Sequence, residues 1–414
     1  MSLISILGYF GWVIFTFMAV VWLLVLLENR KKMKTTNVPK ILPLVSIIIP
    51  AYNEEDTIKE SIESALNIDY PKNLLDIILI NDCSTDNTKK IGESFLERGL
   101  IRMVNNNKNM GKAYSLNRTI DMAKGDLIAC LDADSLVSPD ALKKMISVLE
   151  NPKIGAVTPA FKVRKTNNIL EKLQFAEYSL NVFLRKIMGA MDSIHVTPGV
   201  FSLYRKSILK EVGGFEVGNL TEDMDMALKI HTAGYSIDST TDAICYTYCP
   251  SKLKPLFKQR IRWYRGTIKN SIKHKHMFFN RKYGNIGLFF MPFNFISIIA
   301  VIILLASWGI CYLLNFSKLI WQLSLVNWSF DAIFQYFALE KLLFMFIYNL
   351  PVLPIMGLII GSYTLYKSFN ITGEKISDHK PGYFIYLLVF PLFLTLFWSA
   401  ALIYEIAGVK NRWY

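Results

Sequence analysis

Cysteine, diagnostic glycines and charge inside its apolar runs are what this chain has little of. Its five cysteines, Cys83, Cys130, Cys245, Cys249 and Cys311, form no close-spaced disulfide framework, and Cys245 with Cys249 has no second Cys or His pair to complete a zinc site. A reduced compartment suits them. No Gly-x-Gly-x-x-Gly follows the first strand-like run, and Asn109-Met110-Gly111-Lys112 has only half of a P-loop because position 106 is Asn. Dinucleotide and P-loop sites are thereby excluded. The long apolar runs carry almost no Asp, Glu, Lys or Arg, which argues against a transporter or channel with a nucleotide-sensing domain.

What the chain has in quantity is apolar bulk and positive charge: 52% hydrophobic and 13% aromatic residues, with 46 Lys and Arg against 33 Asp and Glu, a net +13. That combination suits an integral membrane protein with its basic residues on the cytoplasmic side; no nucleic-acid partner is expected. Leu3 to Leu27 is almost uninterrupted apolar sequence, and as a helix it reaches roughly 37 Å, enough to cross a bilayer with tilt. Its basic flank, Arg30-Lys31-Lys32, follows the run, so the amino terminus is expected outside and the next segment in the cytosol.

From Val45 the pattern becomes strand and helix in alternation. The apolar runs Leu44–Ile49 and Leu75–Asn81, then Leu100–Val104 and Asp126–Leu131, are separated by helical stretches, which predicts a parallel sheet covered on both faces. The division expected is a transmembrane helix over 1–28, an α/β domain over 44–275, and three further spans over 283–408, at 286–314, 342–362 and 383–406. Four spans put both termini outside. The stretch 321–337 reads as an outer-interface segment, and Ile169 to Met188 as an amphipathic interface helix.

Four stretches carry chemistry. Leu131-Asp132-Ala133-Asp134 ends a buried run with two carboxylates at a strand's carboxyl end, where open α/β sheets bind ligands and where a hard divalent cation finds oxygen donors. Tyr52-Asn53-Glu54 and Asn81-Asp82 end the first two strands, in loops able to hydrogen-bond a base or ribose; helix capping explains the loops but not a buried Asp82. Thr221-Glu222-Asp223 opens a helix, where acids suit the dipole and where Asp223 can serve as a general base. Gln259, Arg262 and Trp263 fall on one helix face, an amide, a guanidinium and an indole that suit a sugar diphosphate, although a basic helix on anionic lipid reads the same way.

In this order, Asp82, Asp132 with Asp134, Thr221-Glu222-Asp223 and Gln259 with Arg262-Trp263 resemble the signature of the processive inverting family-2 glycosyltransferases: cellulose, hyaluronan and chitin synthases, and especially poly-β-1,6-N-acetylglucosamine synthases. The resemblance runs from about 45 to 270. It implies a GT-A, Rossmann-like α/β domain in the cytosol, inserted between transmembrane helices of the cell membrane. It further implies a UDP-sugar donor, with glucose or N-acetylglucosamine as the sugar, and Mg²⁺ or Mn²⁺. By carry-over, Tyr52, Glu54, Asp82, Lys112, Asp132, Gln259 and Arg262 hold the nucleotide sugar, Asp134 and Asp132 the metal, Glu222 and Trp263 the acceptor, and Asp223 is the base. The acceptor implied is a growing polysaccharide exported across the lipid bilayer; the alternative is transfer of one sugar to a lipid, as in ceramide glucosyltransferases. Where cellulose and hyaluronan synthases have a Cys beside the acceptor, this chain reads Thr197-Pro198-Gly199, and four spans are few for a channel, so a small membrane partner or a homo-oligomer is expected.

Overall fold

The computed structural model describes residues 3–29, 39–329, 352–374 and 376–409. An amino-terminal helix α1 (Leu3–Asn29) precedes the soluble domain. In the domain β1 (Val45–Ala51), α2 (Ile58–Leu66), β2 (Leu75–Asn81), α3 (Thr88–Glu97), β3 (Arg102–Asn105), α4 (Lys112–Met122) and β4 (Leu127–Leu131) alternate as the sequence pattern predicts. There follow β5 (Ser135–Val137), α5 (Ala141–Leu149), β6 (Ile154–Val163), α6 (Ile169–Ala190), β7 (Val200–Arg205), α7 (Lys206–Glu211), α8 (Glu222–Thr232), β8 (Ser236–Thr247) and α9 (Leu253–Lys273).

The eight strands form one sheet in the order β3-β2-β1-β4-β7-β6-β8-β5. β1 to β4 are mutually parallel where they pair, and their apolar side chains are buried on both faces, as two-sided helical cover requires. The four strands expected to be parallel are so; beyond them, where the sequence reading named no strands, β7 runs antiparallel to both β4 and β6, and β5 runs antiparallel to β8. The reversal has a local cause. The chain leaving α6 re-enters the sheet from its carboxyl edge, so Thr197-Pro198-Gly199 stands at the mouth of the sheet and the Gly199 carbonyl accepts from the Asp132 backbone N–H at 3.1 Å.

α6 is the helix expected over 169–188. Its start is fixed by a capping box in which Asn168 Oδ1 accepts from the Glu171 N–H at 2.9 Å and Glu171 reaches back to the Asn168 N–H. Beyond α9, the long α10 (Met291–Leu325) is followed by α11 (Val352–Thr372) and α12 (Ile376–Ile406). α10 continues as one helix into the stretch expected to lie on the outer interface; 330–337 and the first part of the 342–362 span lie outside the described residues. Three described helical segments are long and apolar enough to cross a membrane, Phe10–Asn29, Ile286–Ile303 and Pro381–Ile406. α1 packs against α10 and α11, with Phe17 stacked on Phe293 at 5.5 Å.

α12 behaves differently. Gly382 lies against the Lys172 backbone at the start of α6, Trp398 stacks on Tyr264 of α9 at 4.3 Å, and Glu405 pairs with Arg265 of α9 at 2.9 Å. The helix is tied to the soluble domain near both of its ends. The turn before it is also tied, since buried Lys162 of β6 pairs with Glu374 at 2.6 Å.

Candidate active site

Strands β1, β2 and β4 end side by side, and the turns that leave them enclose a cleft of about 230 Å³. Tyr52, Glu54, Asp82, Lys112, Asp132 and Asp134 all line it. Six residues picked from four separate stretches of sequence thus share one cavity.

The floor is made by hydrogen bonds between loops. Asn53, at φ 54°, presents its side-chain oxygen to the Thr85 N–H at 2.8 Å; the Glu54 N–H donates to Thr88 Oγ1 at 2.7 Å, and the Glu55 N–H to Asp86 at 3.1 Å. These residues join the β1 and β2 loops rather than simply capping helices. Asp82 is buried, and its carboxylate accepts from Asn106 Nδ2 at 2.7 Å, the Met110 N–H at 2.9 Å and the Gly111 N–H at 2.7 Å. It therefore fixes the turn that starts α4. Gly111 adopts φ 83°, a left-handed conformation that favours glycine, and delivers Lys112 as the first residue of that helix.

Lys112 is the electrostatic hub. It hydrogen-bonds Asp132 and pairs with Glu222 at 3.6 Å. Burial works to lower its pKa, but the Asp132 and Glu222 charges outweigh burial and hold it up, so it stays cationic. Asp134 is pushed up to about 6 by burial and by the Asp132 charge; burial also raises Glu54, with Asp134 and Asp132 adding to it. Crowded carboxylates at a strand end, one of them engaged by a lysine, form an all-oxygen donor set suited to a hard divalent cation. Among the described residues no three acidic, His or Cys side chains cluster as ligands, so Asp134 and Asp132 would fill only part of its shell and leave positions for phosphate oxygens and water.

Asp223 stands on the other side of Lys112, in the first turn of α8. Its side chain accepts from the Met224 N–H at 2.8 Å, and its carbonyl accepts from Thr197 Oγ1 at 2.9 Å. Burial, then the adjacent Glu222 charge, push it up to about 6, against the pull of Lys112 and Arg262. A carboxylate so placed can take a proton near neutral pH.

α9 supplies the remaining predicted residues. Arg262 is exposed at the surface and close enough to act on Asp223; Gln259 is half-buried, with Oε1 enclosed and unpaired. Trp263 is half-buried against Arg260, whose guanidinium lies 4.3 Å from the ring centroid. Arg260 is itself buried and pairs with Glu177 of α6 at 2.7 Å. Sequence reasoning missed Arg260 and Glu177. A lone acid in the apolar half of the 169–188 stretch was the available signal, because a buried carboxylate demands a cation.

Gly199 was also missed as a spatial requirement. A Cβ there would collide with Lys112 Nζ and both carboxylate oxygens of Asp132. Gly199→Ala is expected to push that pair apart and weaken nucleotide binding by roughly tenfold, about the worth of one charge-assisted hydrogen bond, with little change in melting temperature. Titration with a fluorescent nucleoside diphosphate measures this; unchanged affinity would show that the pair relaxes freely.

Residues 46–213 match the model of "Glycosyl transferase family 2". The chain is 36% identical over 224 residues to the poly-beta-1,6-N-acetyl-D-glucosamine synthase of Staphylococcus epidermidis, covering 54% of each, and 34% identical over 268 residues to that of Staphylococcus aureus strain MSSA476, covering 64% of each. The matched part thus spans less than two thirds of these relatives. Among solved structures, a mannosyltransferase of Pyrobaculum calidifontis, PcManGT, in complex with GDP-Man and Mn²⁺ aligns over 98% of both chains, with a TM-score of 0.64 at 18% identity. That likeness is one of fold, a GT-A-like mixed sheet flanked by apolar helices.

Proposed function

We propose that this chain, whose residues 46–213 match the model of glycosyl transferase family 2, belongs to that family and is a membrane-embedded inverting glycosyltransferase that moves a sugar from a UDP-sugar to a growing β-linked polysaccharide. The observation that carries the reading is the single cleft in which Tyr52, Glu54, Asp82, Lys112, Asp132 and Asp134 converge, with Asp223 across Lys112. The similarity to poly-beta-1,6-N-acetyl-D-glucosamine synthases favours N-acetylglucosamine as the sugar.

In this reading Tyr52 and the loop held by Asp82 receive the nucleoside, and Lys112 and Arg262 face the diphosphate, whose charge grows as it leaves. Asp223 removes the proton of the acceptor hydroxyl; that oxygen bonds to the anomeric carbon from the side opposite the departing UDP, and configuration inverts. Trp263, held by Arg260 and Glu177, offers an aromatic face to the acceptor sugar, with Glu222 beside it. Asp134 with Asp132 would hold Mg²⁺ or Mn²⁺, which when bound stabilises charge on the diphosphate. Incubating the purified full-length protein with a panel of labelled nucleotide sugars, then sizing the products, tests the proposal. Long polymer supports it, a single sugar on lipid would replace the acceptor, and no transfer from any donor would remove the reading.

The contacts of α12 support a proposal about the membrane arrangement. Pro381–Ile406 is long and apolar enough for the crossing expected over 383–406, with Tyr414 outside; the contacts of Lys172 and Arg265 at positions 382 and 405 support the alternative proposed here, with α1, α10 and α11 across and α12 along the domain. The amino terminus is then outside and Val409 inside. Val409→Cys, in a protein whose own cysteines are replaced, should resist an impermeant maleimide in intact cells and react after permeabilisation. Labelling from outside would restore the crossing.

A further inference from the structure

Thr221 stands immediately before α8, where a threonine ordinarily caps the helix with its own hydroxyl. It makes no such cap. Its oxygens instead accept from α9: Asn270 Nδ2 donates at 3.0 Å to the Thr221 carbonyl and at 3.0 Å to Thr221 Oγ1. Asn270 is buried, and its Oδ1 accepts from Asn219 Nδ2 at 2.8 Å, while Asn219 Oδ1 accepts from the Thr221 N–H at 3.0 Å. Gly266, one turn earlier on α9, faces the same threonine so closely that a Cβ would collide with its side chain.

The residue two beyond Asp223 is held from the same helix. Asp225 is fully buried, and its N–H donates to the Thr221 carbonyl at 3.2 Å. Its carboxylate pairs with Lys273 at 2.6 Å and His274 at 2.8 Å from α9, and with Lys229 of α8 at 3.0 Å. Positions 266, 270, 273 and 274 are spaced as one helix face. Burial works to raise Asp225, but hydrogen bonds from His274, Lys273 and Lys229 hold it well below the usual carboxylate range, so this anchor keeps its charge while Asp223 titrates. α9 thus grips the chain on either side of Asp223, and Arg262, two turns before Asn270 on that helix, acts on the Asp223 carboxylate itself.

We propose that Asn270 is a positioning residue for the transfer step, fixing through Thr221 where the Asp223 carboxylate stands relative to Arg262 and the acceptor hydroxyl. This deepens the proposed function and rests on it, because Asp223 needs such placing only as the base. Asn270 touches no reacting group: with Glu216, Asn219, Lys269 and Lys273 it lines a cleft of about 300 Å³ that shares no residue with the cleft at the strand ends. Its effect must therefore pass through the turn. A general base works only within hydrogen-bond reach of the proton it takes, and a displacement of about 1 Å can cost roughly 10²-fold.

The test uses full-length protein in lipid nanodiscs, with labelled UDP-N-acetylglucosamine as donor and an N-acetylglucosamine tetramer as acceptor probe. Asn270→Ala should lower kcat for transfer by about 10- to 100-fold, while the KM for tetramer and the affinity for UDP stay within about twofold. Asn219→Ala, at a half-buried position, should show a smaller loss of the same form, and it carries the test if Asn270→Ala does not fold. Because Asn270 acts only through the base, adding Asn270→Ala to Asp223→Asn should lower the residual rate by less than about a further twofold. Loss of UDP affinity in step with kcat, or the full further loss in the Asp223→Asn background, would show a general structural role and overturn the assignment. If Asp223→Asn is inactive and neither asparagine variant changes kcat, the assignment is wrong while the proposed function stands. Absence of transfer by the wild type, or near-normal turnover in Asp223→Asn, removes the base on which the assignment rests.

Discussion

Asp223→Asn is expected to fold, bind UDP and lose transfer by roughly 10²- to 10⁴-fold, the usual contribution of a positioned general base. The amide keeps the oxygen that accepts from the Met224 N–H, so the first turn of α8 survives, but it cannot accept the acceptor's proton. The wild-type rate should itself depend on acidity. With Asp223 near 6, only the ionised fraction is competent, so transfer should fall about tenfold per pH unit once the pH drops below about 6.

The same group makes a stability prediction of opposite sign. Its folded pKa stands above the ordinary 3.8, so the native state holds the proton more tightly than the unfolded chain. The resulting stabilisation is full below about pH 4 and is lost as pH rises through about 6. Asp223→Asn removes that loss and should therefore melt higher than the wild type at pH 7 to 8, with the gap closing on acidification. An inactive variant with a raised melting temperature is the signature of a charge kept for chemistry. Near-normal turnover would take Asp223 out of the mechanism, whatever its stability.

The cleft at the strand ends was legible in sequence because of its position in the fold. Asp82 and Asp132 each follow directly on a strand whose side chains are buried, so a run such as Leu127–Leu131 forecasts both the strand and the edge where its next residues emerge. What stayed hidden depends on contacts between distant stretches. Arg260 and Glu177 are 83 positions apart and meet only because α6 and α9 pack together. The strand reversal at β7 was hidden too, since a buried antiparallel strand such as Val200–Arg205 has the same apolar content as a parallel one; entry direction is set by the turn after α6, which carries no periodic signal. The 383–406 run illustrates another limit. Length and hydropathy describe a helix that can cross a bilayer, as Pro381–Ile406 can, but they carry no sign of the contacts that Trp398 and Glu405 make with α9.

Asp82 is the position where a purely nucleotide-binding account and the structure predict different experiments. If its carboxylate served only the base of the nucleotide, Asp82→Ala would lower UDP affinity and leave the fold alone. In the structure that carboxylate already accepts from Asn106, Met110 and Gly111, so alanine leaves three donors in a buried place. Each orphaned donor costs about 1 to 3 kcal/mol, and the turn can relieve part of this by opening to water, so a net loss of about 2 to 4 kcal/mol is expected in urea unfolding. Asp82→Asn should fall between, because its amide nitrogen must face at least one of the two backbone N–H groups. The loss spreads to the chemistry through Gly111, which starts α4 and places Lys112 against Asp132. UDP affinity should therefore fall in both variants and in the order of their stabilities. A variant that loses UDP binding with an unchanged unfolding midpoint would return Asp82 to the nucleotide alone, and one that keeps UDP binding despite a lowered midpoint would cut the link between this turn and Lys112.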